Sequence, residues 1–310
     1  EHMAVDILQE PLLLKHQANE GIQGGTSLIA DQADCPFRSF AKHRLHAREL
    51  PRVGFGLSPA ILGTIVHNAL EYFWRELRDQ QALLDASDEA LELLISTVVS
   101  AAIARAARQY PTTMTPHFSK LEQGRLEKLL YNWLEEERKR GSFKILALEY
   151  PLQWQHSHLT LNFKVDRIEE LEDKSCGLVD YKSSAHKPSV RWDDQRQDKP
   201  QLLLYQSAID ASSEFAEVTS ILYAQVNIEN TAYIGISQDG SSYPGTEPSC
   251  QRQLSQSLSW DELKKQWQLS LQSLADEFLS GYLAISPKSN SSCQYCHLAP
   301  LCRINEVLEP

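Results

Sequence analysis

Residues 159–183, LTLNFKVDRIEELEDKSCGLVDYKS, constrain this chain more than any other stretch. Leu159, Leu161, Phe163 and Val165 share one face, and Thr160, Asn162, Lys164 and Asp166 share the other. A period of two marks a half-buried strand. EDKSCG reads as a turn and LVDYKS as the returning strand of a hairpin. Asp180 and Lys182 stand two apart and project from one face, with Val179 and Tyr181 on the reverse. Strand interiors exclude such groups unless they are paired or bind a metal. If the strands pair, Asp166 and Asp180 converge, and two such carboxylates repel unless a cation sits between them. Hard oxygen ligands suit Mg²⁺ or Mn²⁺. Such an ion polarises a phosphoryl oxygen, and Lys182 is then placed to steady developing charge. Taken alone, D-x-K triplets are common and read more simply as an exposed hairpin with scattered charges.

The flanking sequence sets the architecture. Residues 4–25 carry no period and predict a flexible lead-in, and EHM at the start resembles a cloning remnant. Helical spacing covers 27–50, with Ser27 as N-cap and Pro36 in an early turn. It returns at 59–77, where Ile61, Leu62, Ile65, Val66, Ala69, Leu70 and Phe73 form a stripe, and again at 87–108 and 118–140. FKILALEYPLQW, LVDYKS, EVTSILYAQV and TAYIGIS predict strands beside LTLNFKVDRIEEL. Helices are predicted at 200–212, after Pro200, and at 260–280, with Trp260, Leu263, Trp267, Leu271 and Leu274 on one stripe. Residues 240–258 read as a polar loop. The expected fold is an α/β core with a mixed sheet flanked by helices, an N-terminal helical elaboration and a Cys-rich tail. The division is a lead-in at 1–25 and a single domain at 26–310: a helical part at 26–145, a core at 146–285 and a tail at 286–310.

The chain has 310 residues and a net charge of −11, which disfavours a nucleic-acid partner on charge alone. The charge is uneven, however. Arg38, Lys42, Arg44, Arg48 and Arg52 form a basic strip opposed only by Glu49. A strip of this kind binds phosphate or is simply a solvated helix face. No apolar run approaches the ~18–20 residues of a membrane span. Six cysteines are present, and Cys293, Cys296 and Cys302 cluster near the C-terminus. With no secretion signal visible, this pattern points to a reducing, cytoplasmic compartment and a metal site. The three need a fourth ligand: His297 for zinc, or Cys35 for a cluster. Cys176 and Cys250 match no ligand position.

Six ordered blocks carry a resemblance: LIADQADCPFRSFAKHRL, GTIVHNALEYFW, FKVDRIEEL, GLVDYKSS, KPQLLLYQSAI and CQYCHLAPLC. Together they resemble the PD-(D/E)XK nuclease superfamily, in particular its RecB-like exonuclease branch, which includes the AddB-type helicase–nucleases. The resemblance covers about residues 27–305 and implies a restriction-endonuclease-like core. It assigns metal binding to His67, Asp166, Asp180 and the backbone carbonyl of Tyr181, and catalysis to Lys182. Gln201 and Tyr205 match a Q-x-x-x-Y motif on a helix near the DNA path. It also favours a [4Fe–4S] cluster on Cys35, Cys293, Cys296 and Cys302 over zinc. The strip holding Arg38, Lys42 and Arg44 is then expected to hold DNA. Glu149 stands open between a supporting acid and a surface residue. His43, His46 and His117 have no motif context and read as structural.

The resulting expectation is a Mg²⁺- or Mn²⁺-dependent DNA nuclease of exonuclease type. Its setting is double-strand-break repair beside a helicase, with no membrane partner. The alternative is an idle DNA-binding or scaffold module of such a complex. An electron-transfer role for the cysteine site leaves the D…D-x-K set unexplained. No G-x-x-x-x-G-K-[ST] phosphate loop is present, so any ATP hydrolysis comes from elsewhere.

Overall fold

Six strands in mixed orientation build the sheet of the described residues. The structure, a computed structural model, describes residues 22–49, 56–192, 195–238, 243 and 258–304. Most of the lead-in, Arg52, Cys250 and most of the 240–258 loop lie outside them. β1 (Ile22–Gly24) pairs parallel with the start of β3 (Leu159–Leu171), so the end of the expected flexible lead-in is a strand. β2 (Phe143–His156) runs antiparallel along β3. β4 (Cys176–Lys182) pairs with the far end of β3 as the predicted hairpin. β5 (Val218–Val226) lies parallel to β4, and β6 (Thr231–Ser237) returns antiparallel.

The predicted first helix is two helices. α1 (Thr26–Asp34) stops at Cys35, and α2 (Pro36–His43) starts there. Pro36 has no N–H to donate and forces the residue before it out of the helical region; Cys35 is extended, at φ −169°. Gly25, not Ser27, caps α1. α3 (Pro59–Leu77) begins with a Ser58 cap and ends at Arg78 in the left-handed region. α4 (Gln80–Asp85), α5 (Asp88–Gln109) and α6 (Pro116–Arg138) follow. α7 (Gln201–Ser212) bridges the parallel strands β4 and β5, and a Ser259–Glu262 capping box opens α8 (Trp260–Leu279). α9 (Asn290–Gln294) and α10 (Ala299–Cys302) give the tail short helices where a loop was expected.

The sheet separates two cores. On one face α3, α5 and α6 pack over Val179, Tyr181, Leu222 and Ala224. On the other, α1, α7 and α8 pack over Leu161, Val165, Ile168, Leu178 and Ile221. α5 corrects the membrane reading: with a mean hydropathy of 1.6 it is long and apolar enough to cross a bilayer by length and composition. Its stripe of Leu91, Ile95, Val99 and Ile103 is spent instead in the core beside α3 and α6.

Two features of β3 place the site. β1 covers it to Leu161 and β4 covers it from Arg167, so among the described residues 162–166 have no strand on that edge. Val165 and Ile168 also face the same core although three apart, so the alternation slips between them. Asp166 and Arg167 both turn toward the α3 and α6 side. Opposite the slip, Glu149 drops out of the β2–β3 ladder and takes a left-handed φ of 48°.

Two glycines test the packing. A Cβ on Gly124, in α6, meets nothing within 4 Å, whereas one on Gly235 runs into the backbone of Ile221 and Leu222. Gly124→Ala is expected to stabilise the chain by about 0.5–1 kcal/mol. Gly235→Ala is expected to destabilise it by about 1–3 kcal/mol. Urea unfolding of both variants checks the opposite signs.

Candidate active site

Extending the β3–β4 register beyond Arg167↔Val179 sets Asp166 opposite Asp180. The ladder stops there because Asp166 uses its side chain instead. Its Oδ2 accepts the Tyr181 N–H at 2.8 Å and lies 3.2 Å from His67 Nδ1. His67 sits on α3 two turns from the Ser58 cap, and its Nε2 is 2.8 Å from the Tyr181 carbonyl. A carbonyl only accepts, so Nε2 carries a hydrogen. A neutral ring would then turn a bare Nδ1 toward a carboxylate. Burial works to lower the His67 pKa, but Asp166, with Asp180 behind it, overcomes this and lifts it to about 9. The ring is an imidazolium that stands where a cation's charge is called for.

Asp180 is 1% exposed. Burial, then repulsion from Asp166, push its carboxyl up to about 6 against the pull of Lys182. Its Oδ1 accepts from Gln201 Nε2 at 2.8 Å and from the Tyr205 hydroxyl at 3.4 Å. Its Oδ2 forms an ion pair with Lys182 Nζ at 2.5 Å. Lys182 donates to Gln201 Oε1 at 3.1 Å and lies over the Tyr223 ring. Gln201 thus holds the acid and the base of the D-x-K triplet with its two amide ends.

Gln201 and Tyr205 share a helical face, as their spacing requires, but the face looks inward. Tyr205 is 2% exposed and stacks against Phe163. Tyr205 is buried away from any strand of DNA, whereas Gln201 is partly buried and bridges Asp180 and Lys182.

Glu149 is the residue the sequence leaves undecided. One ligand atom each from His67, Glu149 and Asp166 lies within 4.8 Å of the others. Burial, then Asp166 and Glu71, raise the Glu149 pKa. No local sequence signal announces it, because its strand alternates normally and only the left-handed backbone turns it inward. The donor set fits a hard divalent cation: the carboxylates of Glu149 and Asp166, the His67 imidazole and the nearby Tyr181 carbonyl.

A second constellation sits at the termini. Cys35 at the α1–α2 break, Cys293 on α9, Cys296 and Cys302 line one cavity of about 70 Å³ with Phe37, Ile285 and Leu298. Burial, then the three other thiols, push the Cys293 thiol up, so four sulfurs share one small space. Phe37 N–H donates to Ala284 O and Lys288 N–H to Asp34 O, which stitches the tail to the first helices. Four thiols in an apolar cavity beside Arg38 fit a thiolate-bound metal group. His297 lines the neighbouring groove rather than this cavity. Cys176 is buried in the second core, away from the other four.

The basic strip is less available than its sequence suggests. Arg38 pairs with Asp34 at 2.5 Å and donates to the Ser292 carbonyl. Lys42 donates to Asp31 at 2.9 Å. Arg44 donates to the Phe278 and Leu279 carbonyls at 2.6 and 3.1 Å and lies over the Phe278 ring. Lys42 nevertheless keeps part of its side chain exposed, and Arg48 is exposed on the same groove. Arg44 caps the end of α8, and acids one helix back neutralise Arg38 and Lys42.

Comparison with known proteins agrees with this geometry. Residues 27–303 match the PD-(D/E)XK nuclease superfamily. A subunit of the ATP-dependent helicase/deoxyribonuclease of Clostridioides difficile (strain 630) is 23% identical over 352 aligned residues, covering 91% of this chain and 30% of that protein. Its counterpart from Enterococcus faecalis (strain ATCC 700802 / V583) is 27% identical over 203 residues, covering 59% of this chain and 16% of that protein. The chain therefore spans less than a third of either relative. With a match running over nearly its whole length, this chain belongs to the PD-(D/E)XK nuclease superfamily.

Proposed function

We propose that this domain is a Mg²⁺- or Mn²⁺-dependent deoxyribonuclease of exonuclease type, working beside a helicase in the repair of DNA double-strand breaks. The observation that carries the reading is the convergence of His67, Asp166, Asp180 and Lys182 around Tyr181. The helicase setting is supported by the names of the two relatives. DNA as substrate and a reducing, cytoplasmic setting belong to the same reading, as does a [4Fe–4S] cluster on Cys35, Cys293, Cys296 and Cys302.

His67, Asp166, Asp180 and the Tyr181 carbonyl would hold the catalytic cation, with Glu149 alongside. A bound Mg²⁺ or Mn²⁺ supplies Lewis acidity at a phosphoryl oxygen and a more acidic bound water. The chain's own contribution is electrostatic. Asp180 and Gln201 fix Lys182 Nζ in place, so it can meet negative charge that grows on a phosphoryl oxygen or a leaving oxygen. Tyr205 and Gln201 prevent Asp180 from rotating away. The cysteine site ties α1 and α2 to the tail, a structural role in this scheme.

Asp180→Asn and Lys182→Ala are each expected to lower Mg²⁺-dependent cleavage of end-labelled DNA by about a thousandfold or more, since each removes charge aimed at the reacting phosphate. Undiminished cleavage by either variant overturns the reading. DNA binding without cleavage by the wild type under any divalent cation supports the scaffold alternative instead.

Glu149→Gln is expected to weaken Mn²⁺ binding about tenfold, the lower end for groups that support metal ligands. Titration calorimetry reads this directly.

The His67 pKa gives a pH dependence with a fixed sign. It is raised from 6.5 to about 9, so the stability it contributes to the metal-free protein is complete below about 6.5 and is lost as pH rises through about 9. Cation binding must displace that proton. Mn²⁺ affinity is therefore expected to rise between pH 6.5 and 9, by at most about tenfold per pH unit for one proton released. A pH-independent affinity over this window contradicts the assignment of His67 to the cation site.

A further inference from the structure

Tyr181 is the middle residue of the D-x-K triplet, and only its backbone is expected to touch a cation. Its side chain is nevertheless anchored as firmly as its backbone. Arg167 Nη1 donates to the Tyr181 hydroxyl at 3.1 Å. The ring packs edge-on against Trp133 and His67, with centroids 6.3 and 5.9 Å away. Asp166, the residue before Arg167, accepts the Tyr181 N–H at 2.8 Å, and His67 holds the Tyr181 carbonyl at the same distance. Neighbouring residues of β3 therefore hold Tyr181 at both ends, one by its amide and one by its hydroxyl. The slip in β3 makes this reach possible, because it turns Asp166 and Arg167 to the same side.

Arg167 cannot move to follow a displaced tyrosine. It is fully buried, and its guanidinium donates to Glu137 at 2.7 and 3.2 Å and to Glu169 at 2.6 Å. Arg140 closes the group by donating to Glu137 at 2.8 Å and to the Tyr233 hydroxyl at 2.9 Å. Two arginines and two glutamates, all without solvent contact, form a neutral block with its donors aimed at fixed points. One of those points is the Tyr181 hydroxyl.

We propose that Arg167 and the Tyr181 hydroxyl are positioning groups for the candidate active site, setting where the Tyr181 backbone stands and hence the spacing of its carbonyl, Asp166 and His67 around a divalent cation. The inference rests on the nuclease reading above and extends it to residues with no contact to substrate or metal. Neither group supplies a ligand. Both act through the backbone of the residue they hold, and a misplacement of under an ångström at a ligand is costly.

The network contains its own control. Tyr233→Phe removes a hydroxyl from the Arg140 end, and Tyr181→Phe removes one from the Arg167 end. Both delete one buried hydrogen bond from the same block, so both are expected to lower the thermal unfolding midpoint by similar amounts. Tyr181→Phe alone is expected to raise the Kd for Mn²⁺ about tenfold and to lower kcat on DNA about tenfold with KM unchanged. Tyr233→Phe is expected to stay within about twofold of wild type on all three. Arg167→Lys, which keeps the charge and loses the planar fork, is expected to shift Mn²⁺ binding in the same direction as Tyr181→Phe. Calorimetric Mn²⁺ titration needs no cleavage and separates the two claims. Wild-type-like Mn²⁺ binding by Tyr181→Phe, or an equal shift in Tyr233→Phe, overturns the positioning role alone. A wild type that binds no Mn²⁺ overturns the cation site and this inference with it.

Discussion

Asp166 and Asp180 stand where the pairing of β3 with β4 stops, and the repulsion between their carboxylates is the constraint that organises the surrounding structure. Each element that reaches this point brings a group that relieves it. α3 brings His67, β4 brings Lys182, and α7 brings the Gln201 amide and the Tyr205 hydroxyl. The relief is incomplete, because Glu149 adds a third carboxylate from β2. Burial first, and repulsion from Asp166 next, raise the pKa values of Asp180 and Glu149. A divalent cation relieves that repulsion more fully than one imidazolium can, since it carries twice the charge and accepts several oxygen donors at once.

Behind the site lies a second concentration of charge with a different balance. Arg140, Arg167, Glu137 and Glu169 sum to zero and pair with one another, with the hydroxyls of Tyr181, Tyr233 and Tyr243 joining the network. Burial opposes ionisation of Glu169, but the two arginines hold its carboxyl down to about 2. On stability alone, apolar residues of equal volume would serve as well or better, because desolvating four charges offsets most of their attraction. What apolar packing does not provide is direction. The guanidinium forks fix hydroxyls and carboxylates at set distances, and one fixed hydroxyl belongs to the residue between Asp180 and Lys182. The block and the site thus meet at one residue, the block through the Tyr181 hydroxyl and the site through the Tyr181 backbone.

The hairpin, the α3 stripe and the α8 stripe are legible in the sequence because each is a periodic pattern over many residues. The D-x-K triplet gains meaning only through its ordered neighbours. Features without a period leave no such trace. The break at Cys35 is hidden because the apolar spacing of 27–50 runs on past Pro36, and proline in a first turn suits either one helix or the start of a second. Glu149 is undecidable because a left-handed backbone at a non-glycine residue has no composition signature. The spacing of Gln201 and Tyr205 shows that they share a face but not which way it looks. The internal partners of the basic strip are hidden for a related reason. Asp31 and Asp34 lie upstream of the counted strip, and Arg44 is used up by carbonyls more than two hundred residues away.

Those paired cations bear on how such a domain would meet a phosphodiester. The chain carries a net charge of −11, and Arg38, Lys42 and Arg44 are engaged within the protein. At the candidate site Lys182 is held between Asp180 and Gln201, so much of its field is already answered. Without a cation, the cluster of His67, Glu149, Asp166 and Asp180 is a poor receptor for a polyanion, because its carboxylates repel the same charge that a strand of DNA presents. A divalent ion seated there would lessen that repulsion and would offer a phosphoryl oxygen a positive contact. On the proposed reading His67, Glu149, Asp166 and Asp180 would hold the ion, and its charge would make the pocket less hostile to a phosphate before any bond is broken. The acids that make the pocket repulsive when empty are the ones that draw the ion in.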